Sequence, residues 1–308
     1  SALGLVMPLG ISFYTFQAVG YLIDCFRGRH PAEKNPARFL LFISFFPQLI
    51  QGPINRYGAM EPQLTAAHSW EWERTKRALF VILFGAMKKY AIANLTAPTI
   101  AAILDRNDPT LAGSMALLAI LLYSLQQYAD FSGGIDMVLG VAQLFGIEMM
   151  PNFRQPYFST SLGDFWRRWH ISLSTWFRDY LYIPLGGSRC TRAQKDRNLL
   201  LTFLVSGLWH GAGWTYLVWG GLHGLCQAAE NHLPPRRGGR IRHALRMAGA
   251  FGVLVGAFVI FRASSLGNAA QIFRGILCNG GHAVFSNYWE LGLTSRQEQL
   301  LLFFGLAL

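Results

Sequence analysis

The sequence predicts an all-α protein that crosses a membrane several times, and three features point to this class. Of its 308 residues, 52% are hydrophobic and 14% are charged, whereas a soluble domain usually carries about 25% charged residues. Apolar runs long enough to cross a bilayer alternate with short basic clusters, as in proteins whose spans are joined by cytoplasmic loops. Aromatic residues, which favour membrane interfaces, make up 14% of the chain.

The net charge of +11 is not distributed as in a nucleic-acid-binding protein, because the basic residues lie in short clusters between apolar runs. This arrangement favours anionic lipid headgroups, so membrane lipids are an expected partner and nucleic acid is not. The four cysteines show no C-x-x-C spacing, which indicates neither a disulfide framework nor a zinc site. We therefore expect no metal.

The first quarter of the chain contains one full-length span and one shorter apolar segment. Residues 3–23 are long enough to cross the bilayer. The basic residues that follow, from Arg27 to Arg38, place the next loop in the cytoplasm. Residues 39–50 are too short for a span and are broken by proline, which favours a re-entrant segment. Residues 70–77 are charged and predict an interfacial helix.

The middle of the chain places charged groups inside apolar runs. Residues 79–103 are interrupted by Lys88-Lys89, which we expect to reach the interface or to face a polar cavity, because ammonium groups are costly in hydrocarbon. The next span continues into a segment that we expect to be broken by glycines and that carries Asp130 and Asp136. These carboxylates either mark a functional site or pair with a buried arginine.

Basic clusters at 154–197 and 236–246 flank the apolar run 199–227, which is awkward for a single span. We therefore expect this run to enter the membrane, break at Gly211-Ala212-Gly213 and return to the same side. Such a path holds His210 near mid-membrane, where irregular backbone is tolerated if it lines a cavity.

Residues 248–261 and the last apolar run, LLLFFGLAL, complete the hydrophobic segments. The chain starts at Ser1 without a methionine and enters an apolar stretch directly. We expect residues 1–308 to form a single membrane-embedded domain that is truncated at both ends.

A stretch rich in Trp, Phe and Arg runs from residue 161 to residue 187. As a single helix, it has an aromatic face and a basic face, which suits a membrane surface. The aromatic face carries Trp166, His170, Leu173 and Phe177, and the other face carries Asp164, Arg167, Arg168, Thr175 and Arg178. An S-x-x-D signal predicts the start of the helix, and a proline followed by two glycines predicts its end. His170 either serves the chemistry or is a polar group satisfied inside a helix contact.

His210 is the strongest candidate for a catalytic group. It follows Trp209 and precedes a glycine pair within a long apolar run, with no carboxylate near it in sequence. An isolated imidazole at membrane depth is expected to be neutral, because burial disfavours the charged form. A neutral imidazole accepts a proton from a hydroxyl, as general-base catalysis of acyl transfer requires. The alternative is a histidine that is hydrogen-bonded within a helix bundle.

Other catalytic classes lack their usual signals. The sequence contains no G-x-S-x-G, G-x-G-x-x-G, P-loop or HExxH motif, which removes support for serine hydrolase, nucleotide-dependent and zinc-protease functions. We expect His223, beyond the glycine break, to be structural. The remaining histidines lie in polar surroundings and are expected to be solvated: His30, His68, His232, His243 and His282.

Six segments together resemble the membrane-bound O-acyltransferases, and in particular their bacterial alginate O-acetyltransferase branch. The teichoic acid D-alanyl transferases are more distantly similar. The segments are PLGISFYTFQAVGYLIDCFRG (8–28), FPQLIQGPINR (46–56), YSLQQYADFSGGIDMVLG (123–140), FWRRWHISLSTWFRDYLYIPLGG (165–187), SGLWHGAGWTYLVWGGLHG (206–224) and FRA (261–263). The fourth and fifth are long and highly specific. One departure is Gly134-Ile135, where the family commonly has an aromatic residue, and we expect it to alter only packing.

The resemblance implies a multi-helix bundle with re-entrant and interfacial amphipathic helices around a tunnel, which joins an acyl donor on one side to an acceptor hydroxyl on the other. It implies that His210 and His170 are the two catalytic histidines. It also implies a set of substrate-binding residues that line the tunnel or face headgroups: Trp166, Arg167, Arg168, Arg178, Trp209 and Asp130. Related proteins have further membrane helices before residue 1 and after residue 308.

These features together predict a multi-pass enzyme of the bacterial inner membrane that transfers an acyl group, acetyl above all, to hydroxyls of a cell-surface polysaccharide such as alginate or to a relay partner. The expected donor is an acyl thioester, either acetyl-CoA or an acyl carrier, and no resident cofactor is expected. Extracytoplasmic acetyltransferases are the expected partner proteins. Two alternatives are a transporter or flippase of an acyl carrier, and a non-catalytic scaffold for partner acetyltransferases.

Overall fold

The computed structural model describes residues 10–49, 51–105, 108, 111–233 and 238–279. Within these ranges the chain forms helices, turns and loops, and no β-strand. The first part of the predicted span 3–23, the final apolar run, His282 and two arginines of the 236–246 cluster lie outside the described residues.

Twelve α-helices follow one another in the described ranges. They are α1 (Ile11–Phe26), α2 (Pro36–Ser44), α3 (Tyr57–Thr65), α4 (Trp72–Met87), α5 (Asn94–Leu104), α6 (Gly113–Leu144), α7 (Leu162–Trp166), α8 (Ile171–Phe177), α9 (Arg192–His210), α10 (Trp214–His232), α11 (Arg240–Arg262) and α12 (Leu266–Cys278). Two π-helical segments, Lys88–Ala93 and Arg178–Tyr182, interrupt or extend them.

Among the described residues, two helices are long and apolar enough to cross a membrane. One is Trp72–Leu104, in which α4, a π-helical segment and α5 are continuous, and the other is α11. The charged residues 70–77 were expected to form an interfacial helix, and residues 72–77 are helical, but they are the first turns of α4 and do not form a helix of their own. The apolar segment after residue 39 is short as predicted, since α2 ends at Ser44.

α6 packs tightly against α4. We expected its glycines to break the helix, and this prediction is wrong. A Cβ atom on Gly133 would lie 2.7 Å from the carbonyl oxygen of Gly85, and one on Gly140 would lie 2.7 Å from that of Ala78. The glycines therefore let two helix backbones touch, which is how helices associate in lipid. Because the glycines are used for packing, α6 stays helical over 32 residues.

The charged groups of the middle region neutralise one another across the α4–α6 contact. Lys88 Nζ lies 2.5 Å from Asp136 Oδ2, and Lys89 Nζ lies 2.6 Å from Asp130 Oδ1. Lys88 also donates a hydrogen bond to Ser132. The two carboxylates thus pair with lysines of the preceding helical segment. The alternative that they pair with a buried arginine is wrong.

The run 199–227 forms a helical hairpin, as predicted. α9 ends at His210, residues 211–213 make the turn, and α10 starts at Trp214. The two helices cross at a pair of glycines: a Cβ on Gly207 would lie 2.3 Å from the Tyr216 carbonyl oxygen, and one on Gly220 would lie 2.3 Å from that of Phe203. Neither position has room for a side chain.

The other helices enclose this hairpin on one side. α11 packs against α10 and α6, and α12 against α6. The largest apolar cluster joins α5, α6, α11 and α12, with Ile120 and Val259 almost fully buried. The apolar run 248–261 forms most of α11, which ends at Arg262.

The stretch 161–187 is not a single helix, and this prediction is wrong. Its start signal is confirmed, because the Ser161 hydroxyl accepts a hydrogen bond from the Asp164 amide at the start of α7. Its stop signal is confirmed as well, because the π-helical segment ends at Tyr182, just before Pro184 and the two glycines. However, α7 ends at Trp166, and a second helix, α8, begins after His170. The interruption between α7 and α8 is caused by contacts with Asn152, which are described with the candidate site.

We predict that Gly207→Ala lowers the stability of the folded protein, whereas Gly252→Ala does not. A methyl group at residue 207 meets backbone and costs about 1–3 kcal/mol. A methyl group at residue 252 of α11 meets nothing within 4 Å, so the gain in helix propensity, about 0.5–1 kcal/mol, dominates. Apparent melting temperatures in detergent check this, and equal values for the two variants would contradict the glycine contact.

We predict that the Lys88–Asp136 pair is coupled. Asp136→Asn leaves an ammonium group that is 10% exposed without its counter-charge, at a cost on the order of 3–5 kcal/mol. Lys88→Met/Asp136→Leu removes both charges and should cost less than the single variant. A double-mutant cycle on apparent melting temperatures measures the coupling, and additive effects would show that the pair is not an interacting unit.

Candidate active site

His210 is the last residue of α9, and the turn that follows fixes its position. A Cβ on Gly211 would lie 2.4 Å from the Tyr216 ring, so the chain passes this ring only as glycine. At the other end, Thr191 and Gln194 form a capping box that starts the helix. The helix is thus defined at both ends, and His210 lies where it meets the hairpin turn.

The imidazole of His210 is surrounded by aromatic rings. The ring centroids of Trp209, Trp219 and Phe261 lie 4.7, 5.1 and 5.4 Å from it. In the described part of the chain the imidazole has no hydrogen-bond partner. Its nitrogens therefore remain able to form a further hydrogen bond, and the apolar rings around it limit the access of water.

His170 adopts a left-handed backbone conformation, with φ 44° and ψ 53°, directly before α8. Asn152 holds it there. The Asn152 carbonyl accepts a hydrogen bond from the Ile171 amide at 3.0 Å, and the Asn152 side chain accepts one from the Ser172 amide at 2.9 Å. A non-glycine residue with positive φ persists only where its surroundings enforce it. This clamp is the physical reason why the 161–187 stretch is not one helix.

The two histidines both lie close to one indole ring. The His170 ring is 6.3 Å from Trp209 by centroids, and Trp209 is 4.7 Å from His210. The side chain of His170 is almost fully buried, it contacts Phe131 of α6 edge-on at 4.7 Å, and its Nε2 has no hydrogen-bond partner among the described residues. Two sequence segments 40 residues apart thus meet around Trp209.

A second set of rings continues the cluster beyond His210. Trp219 contacts His210 at 5.1 Å, His223 at 4.8 Å and Trp166 at 5.7 Å. Trp166 Nε1 lies 3.3 Å from His223 Nδ1 and donates a hydrogen bond to it. His223 is 1% exposed, so this histidine is a satisfied group in the hairpin interior, as the sequence predicted.

The three arginines of the predicted set lie apart from the histidines. Arg167 and Arg168 share the carboxylate of Asp164, at 3.4 and 3.1 Å. Arg178 pairs with Asp179 at 2.8 Å and is 58% exposed. The structure therefore brings Trp166 and Trp209 to the histidine cluster and leaves the arginines at the surface.

Asp130 pairs with Lys89 in the α4–α6 contact, although the next residue, Phe131, touches His170. Within the described residues, no group of three His, Cys, Asp or Glu side chains is arranged to hold a metal ion.

Comparison with known proteins identifies the family. Residues 29–278 match the sequence profile of MBOAT, the membrane-bound O-acyltransferase family. The chain belongs to this family. It is therefore a membrane protein, and the predicted resemblance is confirmed.

Three similar proteins are named for the transfer of acetyl or D-alanyl groups. The chain is 41% identical, over 97% of its length, to the probable alginate O-acetylase AlgI of Azotobacter vinelandii. It is 37% identical, over 89% of its length, to the peptidoglycan O-acetyltransferase of Helicobacter pylori. It is 30% identical, over 74% of its length, to the teichoic acid D-alanyltransferase of Bacillus subtilis. The chain spans 59%, 58% and 60% of these relatives.

Sequence reasoning missed two residues of this family member's candidate site. Asn152 was not considered, because nothing in its local sequence shows that it contacts residues near 171. Trp219 was inside a recognised segment but was not singled out. The available signal was its position next to Gly220, since a residue beside a glycine at a helix crossing lies close to the partner helix.

We predict that His170→Asn is more stable than His170→Val. The two replacements are similar in volume, and valine is the better residue for a buried apolar position. Asparagine, however, tolerates the left-handed conformation, which costs other residues roughly 1–2 kcal/mol. Apparent melting temperatures in detergent decide the order, and a more stable valine variant would show that the backbone at residue 170 relaxes.

Proposed function

We propose that this chain forms the catalytic region of a multi-pass O-acyltransferase of the bacterial inner membrane. The enzyme transfers an acetyl group to hydroxyls of a cell-surface polysaccharide, or to a relay partner that acetylates it. The observation that supports this most is the imidazole of His210, held by rings at the turn of a hairpin and without a hydrogen-bond partner among the described residues.

In the proposed reaction His210 is the general base. Its unprotonated nitrogen takes the proton of the acceptor hydroxyl while the hydroxyl oxygen attacks the carbonyl carbon of an acyl thioester. The carbon–sulfur bond of the resulting tetrahedral intermediate then breaks, and the proton passes from His210 to the leaving thiolate. An oxygen ester replaces a thioester, with no net change in protons. His170 Nε2, buried near Trp209, positions the reacting groups.

The depth of the hairpin fits a reaction inside the membrane. The first turns of α9 carry charged residues, and its apolar part starts near Leu199. From there His210 is about 17 Å along the helix axis, roughly half the thickness of the hydrocarbon core. We infer a re-entrant hairpin that projects from the cytoplasmic side into a tunnel lined by Trp166 and Trp209.

Charge at the surface supports a phosphate-bearing donor such as acetyl-CoA. Arg167 and Arg168 share one carboxylate, so the group retains a positive charge, and Arg167 is 70% exposed. Guanidinium groups bind phosphates through paired hydrogen bonds. We propose that these two arginines, with Arg178, bind the donor, and that Asp130 maintains the tunnel wall through its lysine pair.

The polysaccharide acceptor and the partner proteins are proposed from the relatives. Two of the three similar proteins described above are named for O-acetylation of alginate or peptidoglycan. Extracytoplasmic acetyltransferases are the proposed partners for delivery to the polymer. The transport alternative relied on intramembrane carboxylates, and the lysine partners of Asp130 and Asp136 weaken that support.

We predict that His210→Ala and His210→Gln both abolish ester formation in the full-length protein, expressed from its native operon. Removal of a general base lowers the rate by about 10²–10⁴-fold, and glutamine does not supply the basic nitrogen. The measurement is the ester content of the secreted polymer at matched membrane expression.

The control is His243→Ala, because His243 is an exposed residue of α11 away from the hairpin turn. This variant should keep the wild-type ester content. Near-wild-type ester content in His210→Gln would show that His210 is not the base and would favour transport or scaffolding.

A further inference from the structure

Trp219 carries a buried hydrogen-bond donor that the protein does not use. The side chain is 4% exposed, and its Nε1 has no hydrogen-bond partner among the described residues. An indole nitrogen only donates, and the indole N–H usually finds a partner when it is buried. An unsatisfied donor in a native interior therefore requires a specific explanation.

The neighbouring histidine His223 does not provide the acceptor. Its Nδ1 already accepts a hydrogen bond from Trp166, and in the neutral tautomer this leaves its only proton on Nε2. Neither nitrogen of His223 can then accept a hydrogen bond from Trp219, because Nδ1 already accepts one and Nε2 carries a proton. The ring of Phe261, 5.3 Å away, offers no acceptor atom.

The indole ring of Trp219 is held firmly beside the candidate base. It contacts His210 at 5.1 Å with an interplanar angle of 85°. His223, Trp166 and Phe261 contact it as well, at 4.8, 5.7 and 5.3 Å. A donor that is fixed before the reaction, in surroundings without water, stabilises developing charge more than a mobile donor does.

We propose that the Nε1–H of Trp219 donates a hydrogen bond to the carbonyl oxygen of the acyl group that reacts at His210. This inference rests on the proposed function and adds the group that stabilises negative charge. When the acceptor oxygen attacks the carbonyl carbon, the π electron pair moves to the carbonyl oxygen, and the indole N–H stabilises that oxyanion. The pair returns as the carbon–sulfur bond breaks. Trp219 transfers no proton, and its catalytic role is limited to the hydrogen bond that it donates to the carbonyl oxygen.

The first test is the steady-state kinetics of the purified full-length protein with acetyl-CoA as donor. Trp219→Phe should lower kcat on the order of 10²-fold and change the KM for acetyl-CoA little, because loss of an oxyanion donor affects the transition state above all. The matched control is Trp176→Phe. Trp176 is similarly buried, but its Nε1 donates to the Phe16 carbonyl, so its loss should leave kcat within about threefold of wild type.

A second variant separates the donor from the ring. Replacement of Trp219 by β-(3-benzothienyl)alanine keeps the shape of the side chain and exchanges N–H for sulfur. It should fold like wild type and lose kcat as Trp219→Phe does. If this variant keeps wild-type kcat, the N–H has no catalytic role and the inference is wrong, whatever the phenylalanine variant does.

Infrared difference spectra supply a signature that a packing defect would not produce. Acetyl-CoA labelled with ¹³C at the carbonyl is bound to His210→Ala, which holds the donor without turnover. The carbonyl band should shift to higher frequency when Trp219→Phe is added, because a hydrogen bond to that oxygen is lost. An unchanged band would overturn the assignment.

The inference and the proposed function fail separately. If His210→Ala abolishes transfer while both Trp219 variants keep wild-type kcat, Trp219 is not the donor and the acyltransferase function stands. If His210→Ala keeps wild-type transfer, His210 is not the general base, and the proposed reaction at His210 fails together with the site at Trp219.

Discussion

The contact between Gly207 and Gly220 determines the geometry of the hairpin and, with it, the arrangement of the candidate site. Each glycine lies where a Cβ would overlap the backbone of the opposite helix. In lipid, apolar surfaces gain little from mutual burial, so close backbone packing is a main source of helix association. Because α9 and α10 cross here, His210 on one helix meets Trp219 on the other. The rings of α11 then close the cluster.

Glycines also allow close backbone contact where α4 and α6 cross, but there the contact has a different consequence. There the glycines bring together two lysines and two carboxylates that would each be costly alone in a membrane. Their mutual pairing joins α6 to the helix before it, and Phe131 of α6, next to one of the paired carboxylates, contacts His170. The charges therefore serve the scaffold, whereas the candidate site consists of rings and imidazoles, together with the indole nitrogen of Trp219, which is buried and has no hydrogen-bond partner among the described residues.

Local signals predicted what depends on local interactions. The glycine break between basic flanks predicted the hairpin, and the S-x-x-D signal predicted the start of α7, since caps and turns are encoded within a few residues. The division of the 161–187 stretch could not be predicted in this way, because the Asn152 clamp comes from a distant loop. Likewise, glycines in α6 predicted a break, since the sequence does not show whether a glycine serves a turn or a helix contact. The free donor of Trp219 is visible only when all its neighbours are known.

We propose that one hairpin carries His210 into the membrane with both of its ends on the cytoplasmic side. Single cysteines at Arg192 and Leu233, which are exposed at the two ends, test it with a membrane-impermeant maleimide. Both positions should be labelled only after the membrane is opened. Labelling of one end in intact cells, with the other end protected, would show a single crossing and would contradict the hairpin on which the site depends.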